Sequence, residues 1–185
     1  MNDIDAMKCA IEESLKSDCK KRKCGAVLRK DGHEMSRGHN IAGVLHECSR
    51  MNVEHASADY NECPAIHAEI VAIAEAVKNT FKSFDKSTMF LTGIPCMNCA
   101  KTMYQVGIRH LVMISPSRAM TKSEEQSIKF LDKHDMGYAF IYTDTPGCNI
   151  NYIDDETRKR RNEIEKTLND MFHVDGYEIK VIPKS

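Results

Sequence analysis

The first forty residues contain a helical stripe of apolar positions and then a short apolar run that ends in a turn signal. The stripe recurs every three to four residues and consists of Ile4, Met7, Ile11 and Leu15. The run is Cys24-Gly25-Ala26-Val27-Leu28, and the Asp31-Gly32 that follows is typical of a tight hairpin turn between strands at about 24–30 and 33–40. The pattern therefore predicts one helix followed by two antiparallel strands.

Helical and extended patterns alternate along the rest of the chain. The predicted elements are a helix around 66–77, a strand over 87–94, a helix over 96–106, a strand over 109–115, a helix with a Ser123–Gln126 capping box and a stop at Gly137, and a strand over 138–142. A tail follows, with a charged amphipathic helix around 164–172 and a strand over 177–182. Strands that alternate with helices predict a layered α/β sheet.

The length and pattern of the chain indicate one domain with additions. We expect the domain to span 1–145 and to include an irregular insertion at 41–65, which is rich in Gly, Asn, His, Cys and Ser. A helix-strand extension over 146–185 is expected to pack on the same domain.

Composition narrows the classes of partner. Lys and Arg number 26 and Asp and Glu 27, for a net charge of -1, whereas proteins that bind duplex DNA or membrane surfaces usually carry a basic excess. With 6% aromatic residues and no Trp, the chain is also poor in the stacking residues that a single-strand binder needs. It shows neither a signal peptide nor a membrane span. We therefore expect a cytoplasmic protein with no polynucleotide partner, whose eight cysteines serve as thiols or metal ligands.

The most informative chemistry lies in two short motifs, His67-Ala68-Glu69 and Pro95-Cys96-Met97-Asn98-Cys99. Cys96 and Cys99 are three apart on a predicted helix and so share a face. With His67 they supply three ligands, the number typical of a catalytic zinc that keeps one position open. Glu69 is not needed as a fourth ligand and is therefore available to transfer protons. A structural zinc completed by Cys48 or Cys63, or a redox pair, are the alternatives to this catalytic zinc.

H-x-E followed by P-C-x-x-C is the pattern of zinc-dependent nucleobase deaminases. Over residues 5–142 the chain resembles the deoxycytidylate (dCMP) deaminase family of the cytidine deaminase-like superfamily. The similar stretches are Cys24-Gly25-Ala26-Val27 with Asp31-Gly32, Ser36-Arg37-Gly38-His39-Asn40, the two zinc motifs, and Gly107-Ile108-Arg109-His110-Leu111-Val112. The resemblance implies a three-layer α/β/α fold with a mixed central sheet, and hydrolysis of dCMP to dUMP and ammonia, which supplies dUMP for thymidylate synthesis.

The resemblance also implies roles for individual residues. His67, Cys96 and Cys99 would bind Zn²⁺ and Glu69 would shuttle protons. Asn40 would hydrogen-bond the sugar, and the backbone of Ala68 would bind the pyrimidine carbonyl. Independently of the family, the position of Arg22 and Arg37 beside the expected site makes them candidates for a phosphate contact.

Some family members carry a second, structural zinc, and the candidates for it here are Cys19, Cys48, His55 and Cys63. The family further implies a homo-oligomer, with a hexamer as the expected size. Two departures from its pattern are Ile41 in place of a Gly, and Val71 where many relatives have Asn. The first puts regulation by dCTP and dTTP in doubt. Deamination of dCTP, of free cytidine or deoxycytidine, or of a polynucleotide, and a non-catalytic zinc protein, are the competing functions.

Overall fold

The computed structural model describes residues 3–19, 22–43, 65–79, 83–116, 119–143 and 179–182. These residues form four helices and six strands. In chain order the elements are α1 (Asp3–Leu15), β1 (Gly25–Lys30), β2 (His33–His39), α2 (Ala68–Lys78), β3 (Ser87–Leu91), α3 (Met97–Val106), β4 (His110–Ile114), α4 (Lys122–Lys133), β5 (Gly137–Thr143) and β6 (Ile179–Ile182).

The six strands form one mixed sheet in the order β2-β1-β3-β4-β5-β6. The pairs β3–β4 and β4–β5 are parallel, and α3 and α4 connect them. β1 is antiparallel to both neighbours, and β6 is antiparallel to β5 at the opposite edge from β2. This topology confirms the predicted α/β fold with a mixed central sheet.

Helices cover both faces of the sheet, because alternate strand residues point to opposite sides. Val27 and Phe90 pack with Ala6, Met7 and Ala10 of α1 on one face. The other face carries the larger core, in which strand residues contact α2, α3 and α4, including Leu28, Met89, Leu111, Ala72, Met103 and Leu131. The three layers are therefore α1, the sheet, and the group α2–α4.

Local differences from the sequence prediction occur at helix and strand ends. The capping box of α4 is formed by Thr121 and Glu124, not by Ser123 and Gln126, because the helix begins at Lys122. Gly137 opens β5 and does not end the helix; Asp135, with φ 51°, occupies the left-handed position in that turn. β3 ends at Leu91, three residues short of the predicted end. Gly107 ends α3 in a left-handed conformation, with φ 101°, as predicted.

The predicted tail helix around 164–172 lies outside the described residues. The tail strand is present as β6, and it extends the same sheet rather than a separate one. Within the described part of the chain, none of the helices has the length and apolar character needed to cross a membrane.

Candidate metal centre

The helices α2, α3 and α4 all begin at one edge of the sheet. α3 follows the carboxyl end of β3, and α4 follows the carboxyl end of the parallel strand β4. The start of β1 lies at the same edge, since Ala26 pairs with Leu91 at the end of β3. Open α/β sheets bind ligands at this edge because connecting loops and helix N-termini converge there.

His67, Cys96 and Cys99 come together at this edge. The ligand atoms of the three side chains lie within 4.8 Å of one another. His67 Nδ1 is 3.4 Å from the Sγ atom of each cysteine. Zinc–nitrogen bonds of about 2.0–2.1 Å and zinc–sulfur bonds of about 2.3 Å at a tetrahedral angle require roughly 3.5 Å between such atoms. The geometry and the donor set therefore fit a zinc ion held by these three residues.

Two helix starts position the ligands. His67 is the N-cap residue of α2 and Cys96 the N-cap residue of α3, both with extended backbones, and Cys99 lies one turn into α3. The N-terminus of a helix carries partial positive charge, which favours thiolate over thiol. Pro95 is buried immediately before Cys96 and fixes the backbone there.

The two thiols differ in their proton affinity. Hydrogen bonds from Cys99 and His67 hold the pKa of Cys96 at about 4, against the opposing effect of burial. The pKa of Cys99 is raised, because its thiol donates to Cys96 and is itself buried. Cys96 is therefore the thiolate of the pair. A zinc ion held by both cysteines would take the place of the remaining thiol proton, since thiolates are the metal ligands.

Glu69 lies in the first turn of α2, beside the cluster. Its side chain is buried and hydrogen-bonds with the Cys99 thiol. Burial raises the pKa of Glu69 above its ordinary value, and the nearby His67 opposes that shift. A carboxyl group with a raised pKa can both accept and release protons near neutral pH.

A close approach of β2 sets the position of α2. A Cβ atom at Gly38 would overlap the backbone of Ala68 and Ala72, so only glycine lets the strand and helix approach this closely. Ser36, on the same face of β2, donates to the carbonyl of Ala72 at 2.7 Å. These contacts fix the helix start that carries His67 and Glu69.

Asn40 is buried just after the end of β2, where its side-chain amide bonds to the backbone that precedes β1. Its Oδ1 accepts from the Cys24 N–H at 2.7 Å, and its Nδ2 donates to the Arg22 carbonyl at 2.8 Å. A side-chain amide has two donors and two lone pairs. One donor and one lone pair therefore lie beyond these two bonds, and the predicted sugar contact stays a prediction. Ala68, as the first residue of α2, has an N–H with no partner inside the helix.

The two candidate phosphate-binding residues, Arg22 and Arg37, lie on opposite sides of the sheet. Arg22 lines a cleft beside Cys96, together with Ile94, Pro95, Ser123 and Glu124. Arg37 pairs with Val27, whose side chain packs against α1, and its Nε donates to Glu34 at 2.6 Å. The structure does not bring Arg37 to the metal ligands, because alternation along β2 turns its side chain to the α1 face.

The candidates for a second metal are not assembled within the described residues. Cys48, His55 and Cys63 lie outside them, and Cys19 is a free thiol near the start of β1. The second zinc stays a prediction.

Sequence reasoning did not select Gly93 or Glu124, although both contact Arg22 at the site. A signal for each exists in the sequence. A glycine between an apolar strand and Pro-Cys indicates a close approach, and T-x-x-E at 121–124 is a capping-box pattern.

Comparison with known proteins agrees with the geometry. Residues 1–115 match the family described as the cytidine and deoxycytidylate deaminase zinc-binding region. The chain belongs to this family. The match covers His67, Cys96 and Cys99. It confirms the resemblance seen in the motifs, and a zinc-binding region is consistent with the site that these three residues form.

Individual relatives match over parts of the chain. A deoxycytidylate deaminase of Enterobacteria phage T2 is 38% identical over 93 residues, which is 48% of this chain and 49% of that protein. One from Saccharomyces cerevisiae is 27% identical over 131 residues, 68% of this chain and 40% of that protein. The chain thus spans about half or less of the length of these curated relatives.

The fold matches that of a solved relative. The crystal structure of dCMP deaminase from the cyanophage S-TIM5 in complex with dCMP and dUMP superimposes with a TM-score of 0.56 and 26% identity. It covers 72% of this chain and 92% of that one. The architecture around the zinc centre is therefore that of the family.

Substitution of Gly38 tests how α2 is positioned. In Gly38→Ala we expect a loss of about 1–3 kcal/mol in unfolding free energy, because the helix backbone has to move. We also expect weaker zinc retention, since the displaced turn carries His67. Urea unfolding and metal analysis after dialysis against a chelator measure the two effects. His33→Ala, at the exposed start of β2, is the control, and equal stability and zinc content in both variants would contradict this account.

Proposed function

We propose that this chain catalyses the hydrolytic deamination of a cytosine deoxynucleotide, with dCMP as the substrate and dUMP and ammonia as products. The observation that carries the proposal is the buried carboxyl group of Glu69 beside three residues that fit zinc. A purely structural zinc site has no use for that carboxyl group. The names of the phage and yeast relatives, and the dCMP and dUMP bound to the cyanophage enzyme, support this choice of substrate.

In this proposal His67, Cys96 and Cys99 hold the zinc ion. When bound, zinc acts as a Lewis acid that lowers the pKa of water to about 7 and so supplies a nucleophile at neutral pH. Glu69 accepts a proton from the attacking water and delivers protons to N3 of the cytosine ring and to the departing amine. The water oxygen first adds to C4 as N3 takes up its proton; once the exocyclic nitrogen has been protonated, its bond to C4 breaks, which leaves uracil and ammonia.

Other residues at the edge bind the nucleotide in the proposal. The N–H of Ala68 donates to the pyrimidine carbonyl, and the second N–H of the Asn40 amide reaches the sugar. Arg22 contacts the phosphate from the cleft beside Cys96. Arg37 has no part in it, because its side chain lies on the α1 face.

The proposal extends to assembly and location. Ile66, two residues before α2, and Val77, in its last turn, are 54% and 56% exposed, which supports a homo-oligomer that covers them, with a hexamer as the expected size. Light scattering coupled to gel filtration measures that size. A cytoplasmic location is part of the proposal, and the free thiols of Cys9 and Cys19 are consistent with a reducing compartment.

A substrate panel tests the activity. We expect the zinc-loaded protein to release ammonia fastest from dCMP among cytidine, deoxycytidine, CMP, dCMP and dCTP. A preference for dCTP or for a free nucleoside would change the proposed substrate but leave the proposed deamination reaction intact. Release from single-stranded DNA or tRNA alone would indicate a polynucleotide deaminase, and no release from any of them would contradict the proposed reaction.

A further inference from the structure

Gly93 lies in the loop between β3 and α3, three residues before the metal ligand Cys96. A Cβ atom at this position would overlap Nη2 of Arg22 and lie 3.4 Å from its Cζ. The guanidinium group therefore occupies the space that any other side chain at 93 would fill. The obstacle is the tip of a flexible side chain and not backbone, so a larger residue at 93 would displace Arg22 at little cost to the fold.

Two contacts hold Arg22 against Gly93. The Arg22 carbonyl accepts from Asn40 at 2.8 Å, which fixes the main chain. Nη1 lies 3.9 Å from Oε1 of Glu124, a buried carboxylate whose other oxygen accepts from Thr121 N at 2.8 Å. A separation of 3.9 Å is an ion pair but too long for a hydrogen bond. Glu124 thus attracts the Arg22 guanidinium by its charge, and this ion pair uses none of the five N–H donors of Arg22.

The cleft in front of this guanidinium is small and adjoins the metal ligands. Arg22, Cys96 and Ser123 lie on its wall, and its empty space of about 200 Å³ includes open solvent. Its enclosed part is much smaller than the roughly 300–1,000 Å³ of a site that holds a whole drug-sized ligand. The cleft therefore suits one group of a substrate whose reacting part lies at the zinc centre. Glu124 also lines the cleft and pairs with Arg22. The Arg22 guanidinium and the N-terminus of α4 both favour an anionic group there.

We infer that Gly93 is a specificity-determining residue, which selects phosphorylated substrates by leaving room for the Arg22 guanidinium beside the metal centre. The inference rests on the proposed function and extends it to a residue that touches no substrate itself. A side chain at 93 pushes the guanidinium away from the cleft wall. The phosphate contact is then lost, while the zinc ligands and Glu69 stay in place.

The test compares wild type with Gly93→Ala, Gly93→Val, Arg22→Ala and the double variant Gly93→Ala/Arg22→Ala, on dCMP and deoxycytidine. We expect each Gly93 variant to lower the ratio of kcat/KM for dCMP to that for deoxycytidine about tenfold or more, the value of one charge-assisted contact. The deoxycytidine rate should stay within about twofold. The double variant should lose no more than Arg22→Ala, because both changes remove the same contact. Lys78→Ala, at the far end of α2, controls for the loss of a surface charge.

Binding of dCMP and deoxycytidine, measured by calorimetry on the same proteins, provides a readout apart from turnover. A tenfold weaker affinity for dCMP alone supports the inference, with or without turnover. An unchanged dCMP-to-deoxycytidine ratio in Gly93→Val overturns it and leaves deamination intact. A parallel loss on both substrates with a lower melting temperature also overturns it, because Gly93 is then a packing residue. If the wild type releases no ammonia, the proposed function is contradicted. The affinities of the same proteins for dCMP and deoxycytidine then decide the inference about Gly93.

Discussion

Glu69→Gln is expected to fold, to keep its zinc and to bind nucleotide, yet to lose nearly all ammonia release. Glutamine preserves the size and the hydrogen-bonding capacity of the buried side chain but cannot accept a proton. General acid-base catalysis contributes about 10² to 10⁴ in rate. Since the proposed mechanism assigns several proton transfers to Glu69 in turn, we expect a loss at the upper end of that range or beyond.

Glu75→Gln is the matched control for this variant. Glu75 lies on the same helix, but its side chain is 41% exposed and pairs with Lys78 at 2.6 Å. Its substitution should leave turnover unchanged. Near wild-type turnover by a zinc-loaded Glu69→Gln protein would contradict the mechanism. Loss of zinc from that variant would instead identify Glu69 as a ligand.

Cys96→Ala is expected to lose zinc and activity together. Cys96 is the thiolate of the pair, with a pKa of about 4, and lies 3.4 Å from the His67 nitrogen. Its removal leaves two protein ligands, fewer than the three of a catalytic zinc site. Metal analysis should fall from about one zinc per chain to a small fraction of that value, and ammonia release should fall to background.

Cys9→Ala distinguishes loss of a ligand from loss of a cysteine. Cys9 is a free thiol of α1, which packs on the opposite face of the sheet. Burial raises the pKa of Cys9, and its place on the α1 face separates it from the metal ligands. The control should keep a full zinc equivalent. A Cys96→Ala protein that also keeps one would exclude Cys96 as a ligand.

The sequence was sufficient to predict the zinc centre because its parts are local. H-x-E and P-C-x-x-C each lie within five residues at a helix start, so spacing alone places their side chains. The alternation of strands and helices likewise predicts that the two helix starts meet at one sheet edge. The same logic gave the β1–β2 hairpin from Asp31-Gly32.

The surroundings of the zinc centre depend on contacts between distant parts of the chain. Arg22, Gly93 and Glu124 meet only because β1, β3 and α4 converge at one edge, and no local pattern records that meeting. Arg37 was a candidate by proximity in sequence, but its place in the alternation of β2 puts it on the other face. The capping box of α4 was predicted two residues too late in the chain, because two overlapping polar patterns occur there. Only the position of the helix start decides between them.

Zinc-dependent deamination of dCMP is tested most directly by product analysis with the zinc-loaded protein. Incubation with dCMP should yield dUMP and ammonia in a one-to-one ratio. The yield should vanish in Glu69→Gln at equal zinc content and remain in Glu75→Gln. Unchanged dCMP after many protein equivalents of substrate, or equal yields from the wild type and Glu69→Gln, would contradict the account.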